Sequence, residues 1–463
     1  MSDYKFLMES RLLPDQLQVV NQLGRIASAQ GLNLYLVGGA VRDLTSGQQT
    51  VRDLDFVLEG NLQKMLRQLE SRDGKRKQGG PQTEGDVSRL RIERTQFDPR
   101  LNAAEVVFAP GVRSELAMAR TETYSRPGHR PEIAAATIFE DLKRRDFSLN
   151  AMAVSLHPNS KGLLLDPTNG VADIERRELR ALHSRSFSDD PSRIYRLIRL
   201  GLRLDFKPEE RTQQWFDRAL ENRIVESLTP EQQGHELHAI LQEENPSRVL
   251  KVLAERELLV ALDHKLGSAK INYDRLDKIR SASRSVPGAD TFLVNFHCLV
   301  EKLSPTEKLR FGQKIIKDAK LVKAAFGLER DAQKLSRLLA GKKANLPSQV
   351  HHILSGRPLP LLLFLLVHCA QTKIQSRLKT FLVRCPQIWA QLPRAELRSL
   401  GVEPGPKFDK ILEQIFLDQL DGKLKTHQQV AKALRELTGI KERPPKAPKG
   451  RKGERGKGRT GKR

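Results

Sequence analysis

Two aspartates lie two residues apart in the run Arg52-Asp53-Leu54-Asp55-Phe56-Val57-Leu58. Acidic and apolar residues alternate there, which is the period of a half-buried strand. On such a strand Leu54, Phe56 and Leu58 face one side, and Asp53, Asp55 and Val57 face the other. At roughly 3.3 Å per residue the two Cα atoms are about 6.6 Å apart, so both carboxylates reach one Mg²⁺ or share two ions. Hard oxygen donors suit Mg²⁺, which keeps several waters and bridges nucleotide phosphates. Upstream, Leu34-Tyr35-Leu36-Val37-Gly38-Gly39-Ala40-Val41-Arg42-Asp43 runs strand, glycine pair, helix start. The glycines let backbone N–H groups approach a phosphate, and the helix N-terminus favours an anion. Arg42 adds a forked donor for a phosphate oxygen.

The elements that must position these groups are mixed in the first 165 residues. Asn33 to Val37 and Asp53 to Leu58 are predicted strands, with a helix beginning near Val41 between them. Val106 to Phe108 and Glu115 to Ala119 are further strand candidates, and Glu115 is a candidate third carboxylate. Ala151 to His157 and Gly162 to Leu165 flank Pro158-Asn159-Ser160-Lys161 as a hairpin, whereas Gly74 to Asp86 reads as a polar loop. From about Asp190 to Gly439 nearly everything reads helical, with turns at Pro230, Pro246, Pro305 and Pro358. The expected class is α+β: a mixed-sheet head with helices, followed by an elongated all-α region.

Composition narrows the partners. The 463 residues carry 80 Lys/Arg against 56 Asp/Glu, a net charge of +24. Eleven Lys/Arg and two Glu fall between Lys441 and Arg463, in a Pro/Gly-rich tail too poor in apolar side chains to fold. Such a tail binds polyanions in a salt-dependent way. No apolar run is long enough for a membrane span; the longest, Leu359 to Cys369, suits a buried helix. No signal peptide is expected, and the three cysteines Cys298, Cys369 and Cys385 show no metal or disulfide spacing. A reducing cytoplasm fits.

The run LVGGAVRDLTSG followed by VRDLDFV resembles the active-site signature of the class II tRNA nucleotidyltransferase and bacterial poly(A) polymerase family, within the DNA polymerase β superfamily. The resemblance continues through Asp141-Leu142-Lys143-Arg144-Arg145-Asp146-Phe147, Leu165-Asp166-Pro167 and Asp189-Asp190-Pro191-Ser192-Arg193-Ile194-Tyr195-Arg196. It implies a polymerase-β-like nucleotidyltransferase head over 1–165 and a helical neck over 166–250. It also implies a helical RNA-binding body and tail over 251–440, with the basic tail over 441–463. Asp53 and Asp55 are then the catalytic metal ligands. Gly38, Gly39 and Arg42 bind triphosphate, and Arg145 and Asp146 recognise ribose. Arg196 and Arg199 contact the nucleotide. Asp146 can accept a hydrogen bond from a 2′-OH, which favours NTP over dNTP.

Asp190 and Arg193, one helical turn apart, fit a further role. Cytosine and adenine each present an exocyclic amine donor beside a ring-nitrogen acceptor, whereas guanine and uracil present a carbonyl beside an N–H. A carboxylate accepts from the amine and an arginine donates to the ring nitrogen, so the pair suits C or A and leaves mismatched polar groups against G or U. Asp190-Pro191 also reads as an N-cap followed by Pro at the first helical position. Arg193, Arg196, Arg199 and Arg203 share one face of this helix, while Ile194, Leu197 and Ile198 face the core. This sequence departs from the family at Asp189, where Glu is usual, and at Gln233 or Gly234, where an Arg often stands. Arg120 to Glu132 occupies the place of a flexible family loop that helps shift the site from C to A.

The expected activity is template-independent addition of C and/or A from CTP and ATP to the tRNA 3′ end. Poly(A) tailing of RNA and a split CC-adding or A-adding activity are the alternatives. A catalytically silent RNA-binding protein is the reading from a different class, and the intact carboxylate pair argues against it.

Overall fold

A computed structural model describes residues 3–48, 51–74 and 90–439, apart from Pro127, Arg130, Ala269, Pro287 and Lys317. The tail expected at 441–463 lies outside the described residues, as does the loop expected at Gly74 to Asp86 beyond its first residue. The chain divides into two compact units, Met1–Arg280 with Asp290–Phe326, and Ser281–Ala289 with Gly327–Arg463.

The first unit opens with α1 (Tyr4–Arg11) and α2 (Pro14–Ser28). There follow β1 (Asn33–Val37), α3 (Gly39–Ser46), β2 (Leu54–Glu59), α4 (Leu62–Gly74), β3 (Ile92–Asp98), β4 (Ala103–Phe108), β5 (Val112–Met118), β6 (Arg120–Thr123), β7 (Glu132–Ala135), α5 (Ile138–Lys143), β8 (Ala153–Ser155) and β9 (Leu164–Leu165). Seven strands form one mixed sheet in the order β3-β4-β5-β2-β1-β8-β9, and β6 pairs with β7 apart from it. β2 runs antiparallel to β1 and parallel to β5. This register sets Val37 and Glu115 on either side of Asp55.

Both faces of the sheet centre are covered, which explains its apolar strands. Leu34, Leu36, Leu54, Phe56 and Leu58 are buried on one face. On the other, Val37 and Val57 pack with Ile138 and Leu142 of α5 and with Ala119, Ala151 and Ala153. Val57 is therefore buried although it shares its face with the aspartates. At the start of β2, Asp53 and Asp55 line an open cleft instead.

Beyond β9 the unit is mainly helical, with one short parallel pair formed by Glu178–Leu179 and Lys207–Pro208: its helices begin α6 (Gly170–Arg176), α7 (Ser186–Asp189), α8 (Ser192–Leu204), α9 (Glu210–Glu221) and α10 (Pro230–Leu241). Tyr195 of α8 is fully buried and its hydroxyl donates to the Leu258 carbonyl at 2.8 Å, fixing α8 to the helices that follow. Pro230, Pro246 and Pro305 are each the first residue of a helix, with Thr229, Asn245 and Ser304 accepting the exposed N–H groups. In the second unit, Leu361 to Leu366 are buried within the helix Leu359–His368, and Leu397, Phe408, Ile415, Phe416 and Leu434 centre a separate core. Among the described residues no helix is long and apolar enough to cross a membrane.

Several expectations shift. α3 starts at Gly39 rather than near Val41, because the glycine pair turns the chain straight into the helix. β2 starts at Leu54, so Asp53 sits just before the strand. α8 starts at Ser192, one residue later than an N-cap at Asp190 requires, although Asp190 still accepts the Ser192 N–H at 3.1 Å. The strand expected from Ala151 shrinks to Ala153–Ser155 behind a 3₁₀ turn at Ser148–Asn150. Arg120 to Glu132 is no simple loop: its ends are β6 and the start of β7. β3 was not anticipated.

Candidate active site

The open end of β2 forms the floor of a cleft of about 650 Å³. Asp53, Asp55 and Glu115 all line it. Burial pushes the Asp55 carboxyl up to about 7, and Glu115 and Asp53 add to the rise against the pull of Arg145 and Arg42. Burial also raises Asp53, with Arg113, Arg52 and Arg203 opposing. Asp55 is crowded by Glu115 and Asp53 despite the arginines nearby, and a divalent cation would relieve that crowding. Among the described residues no three His, Cys, Asp or Glu side chains gather closely enough to hold an ion by themselves. Two aspartates as the donor set leave positions for phosphate oxygens and water, as a hard cation shared with a nucleotide requires.

Gly38 closes one wall. Its φ of 66° with ψ of −130° is backbone that glycine adopts without strain. A Cβ there would lie 3.2 Å from Arg145 Nη1 and 3.4 Å from Asp55 Oδ2. A Cβ on Gly39 would touch Arg42 Nη2 at 3.5 Å. Arg42 is buried and held in place: Nε donates to Asp43 at 2.9 Å and Nη1 to Asn150 at 2.8 Å. Asn150 in turn donates to Asp146 at 3.2 Å, so one amide links the glycine wall to the carboxylate predicted to meet ribose. Burial would raise Asp146, but Arg196 and Arg193, the Phe147 N–H and Asn150 outweigh it and hold its carboxyl below the usual range. Arg196 reaches Asp146 at 2.8 Å. Arg145 pairs with buried Asp141 at 3.0 Å.

α8 runs along the opposite wall. Arg193 is buried, with Nη1 donating to Ser186 at 2.8 Å and Nη2 to the Arg144 carbonyl at 2.7 Å. Its Nε lies 3.8 Å from Asp190 Oδ2. Asp190 Oδ1 accepts the Ser192 hydroxyl at 2.6 Å and the Gln232 amide at 3.4 Å. Arg199 donates to Glu243 at 3.0 Å and Arg203 approaches the same carboxylate at 3.5 Å. The arginine face is therefore an internally paired wall rather than a solvated stripe. Burial, with Arg42, Arg199 and Arg52 nearby, pulls the Arg203 guanidinium down to about 10 despite Glu243.

Every residue expected to hold metal or nucleotide lines this one cleft: Gly38, Gly39, Arg42, Asp53, Asp55, Arg145, Asp146, Asp190, Arg193, Arg196 and Arg199. Sequence reasoning missed Asn150 and Glu243, which act through contacts distant in sequence. It also did not single out Gln232, the neighbour of Gln233 and Gly234, where an Arg often stands in the family. In the structure Gln232 faces Asp190, Gln233 donates to the Ala261 carbonyl, and Gly234 packs against the Lys314 carbonyl, 2.9 Å from where a Cβ would stand. Helical phase along Thr229 to Leu237 was the signal available, since Gln232 is the residue one turn into the capped helix.

The arrangement has relatives. Residues 34–180 match the poly A polymerase head domain. The A-adding tRNA nucleotidyltransferase of Halalkalibacterium halodurans is 34% identical over 259 residues, 55% of this chain and 56% of that protein. The CCA-adding enzyme of Bordetella pertussis is 30% identical over 300 residues, 64% of this chain and 73% of that protein. The chain belongs to the class II tRNA nucleotidyltransferase family. A solved CCA-adding enzyme in an apo form superimposes with a TM-score of 0.51 at 25% identity, over 95% of this chain and 99% of that one. Its likeness accords with the mixed-sheet head and helical remainder of this family member. The chain spans about half or less of the length of the first curated relatives it matches.

Proposed function

We propose that the chain adds C and A, or A alone, to the 3′ end of tRNA from CTP and ATP without a nucleic-acid template. The observation that carries this reading is the convergence of three features in one cleft: the Asp53/Asp55 pair, the Gly38-Gly39 wall and the Asp190/Arg193 pair. In the reaction the RNA 3′-hydroxyl gives up its proton to solvent, its oxygen forms a bond to the α-phosphorus, the bond from that phosphorus to the bridging oxygen of the β-phosphate breaks, and pyrophosphate leaves. Gly38, Gly39 and the braced Arg42 face the phosphates. Asp146, kept ionised by Arg196 and Arg193, accepts from the ribose hydroxyl. Asp190 Oδ2 accepts from the exocyclic amine of C or A while Arg193, held from behind by Ser186 and Arg144, donates to the ring nitrogen. Asp53 and Asp55 are the ligands for Mg²⁺, which when bound neutralises phosphate charge and acidifies the attacking hydroxyl.

We assign residues 1–165 to the catalytic head, 166–250 to the neck that reads the base, and 251–440 to RNA binding through phosphates and shape. Three free cysteines, two of them buried, fit a cytoplasmic setting. The A-adding relative favours A-only addition as a second reading.

The experiment uses three tRNA transcripts ending at the discriminator base, at C and at CC, each with CTP or ATP. Growth to CCA followed by arrest supports full addition. Extension of only the CC-ended transcript, by one A, supports the second reading. Long A tails on any RNA, or no extension, refute both.

A further inference from the structure

We propose that Arg203, at the far end of α8 from Asp190, binds phosphate oxyanions of the incoming nucleotide's triphosphate. This rests on the reading of the cleft as a nucleotide site. α8 acts as a ruler along the cleft. Asp190 and Arg193 stand at its N-terminal end, Arg196 follows beside Asp146, and Arg203 lies in the last turn. At 1.5 Å rise per residue Arg203 is about 15 Å beyond Arg193. That order repeats the order of a nucleotide: base, sugar, phosphates. At this end the surrounding charged groups include Arg42, Arg52, Arg199 and Glu243. Arg42 itself touches the glycine wall.

Arg203 makes looser contacts than Arg193, whose two terminal amines donate to Ser186 and the Arg144 carbonyl. The Arg203 Nε is buried without a hydrogen-bond partner. Its one close carboxylate, Glu243, already accepts Arg199 at 3.0 Å and stands 3.5 Å from Arg203. A single carboxylate thus faces two guanidiniums, and the planar fork of Arg203 keeps donors in excess. Arg42 and Arg199 are already paired with Asp43 and with Glu236 and Glu243, so among the arginines at this end Arg203 has donors left for an anion. Phosphate could come from the nucleotide or from the RNA backbone. The position of Arg203 beside Arg42, beyond the sugar site, favours the nucleotide.

The test measures binding of inorganic tripolyphosphate with Mg²⁺, and separately of an acceptor-stem RNA, to the full chain and to Arg203→Gln. Tripolyphosphate affinity is expected to fall about tenfold, the scale of one charge-assisted hydrogen bond, with RNA affinity unchanged. KM for CTP and ATP should rise alike, leaving the choice between them unaltered. If Arg203→Gln does not fold, Arg203→Lys carries the comparison, with about a threefold loss expected from the missing fork. Unchanged tripolyphosphate affinity in the folded variant overturns the assignment, as does a loss confined to RNA. A wild-type chain that extends no RNA yet shows the tripolyphosphate difference would refute the proposed function and still support this inference.

Discussion

Replacing Asp190 by asparagine should erode base preference rather than merely weaken the site. The cap decides which way the amide turns. Asp190 Oδ1 accepts from the Ser192 N–H at 3.1 Å, from the Ser192 hydroxyl at 2.6 Å and from Gln232 at 3.4 Å. Asparagine meets those donors only with its carbonyl oxygen there, so its NH₂ takes the place of Oδ2. Oδ2 is 3.8 Å from Arg193 Nε, too far for a hydrogen bond. It is thus the oxygen left to accept from a base. After substitution a donor faces the exocyclic amine of C and A, while the carbonyl of U and G finds a partner. A hydrogen bond to a charged group contributes about 1.5 to 3 kcal/mol, so kcat/KM for CTP or ATP should fall about 10- to 100-fold, while that for UTP or GTP should hold level, since Arg193 still meets their ring N–H. The retained cap should keep the stability change under about 1 kcal/mol. The assay is kcat/KM for all four nucleotides on one RNA, beside a denaturant titration. Equal loss for all four nucleotides, or unchanged preference, would refute the argument.

Other perturbations probe the supports of the cleft. Gly38→Ala forces a side chain into positive φ beside Arg145 and Asp55, at a cost of about 1 to 3 kcal/mol; kcat/KM should fall about 100-fold, and wild-type turnover would show that the wall is not under close contact. Leu142→Ala opens a cavity beneath Val57 and Ile138, and should cost about 2 to 5 kcal/mol in urea denaturation. Asp141 is fully buried; burial raises its carboxyl, but Arg145 and Arg144 outweigh that and hold it below the ordinary value of 3.8. A depressed carboxylate contributes stability above its unfolded pKa and loses it as pH falls through the folded one. Asp141→Asn should therefore destabilise by about 3 kcal/mol at neutral pH, and the gap from wild type should shrink as the pH falls below 3.8. A gap independent of pH would contradict the ion pairs.

The legible parts of the fold were those set by local period. Asp53 to Leu58, the glycine pair and the arginines of α8 sit at spacings that one strand or one helix fixes alone. The illegible parts depend on distant partners. β3, with Arg94, Thr95 and Gln96 in its middle, is a polar strand that exists because β4 pairs with it. Burial of Val57 needed α5 to arrive from Ile138 onward. Gln232 meets Asp190 across 42 residues, and Asn150 meets Arg42 across 108. No local period encodes such contacts.

The central claim is tested most directly by single-turnover transfer from α-labelled CTP or ATP to tRNA, comparing wild type with Asp53→Asn and Asp55→Asn across a Mg²⁺ titration, with tRNA binding measured in parallel. Near-isosteric loss of either charge should lower the transfer rate by at least about a thousandfold, unrestored by added Mg²⁺ and with tRNA affinity intact. Transfer at the wild-type rate in either variant would contradict the account.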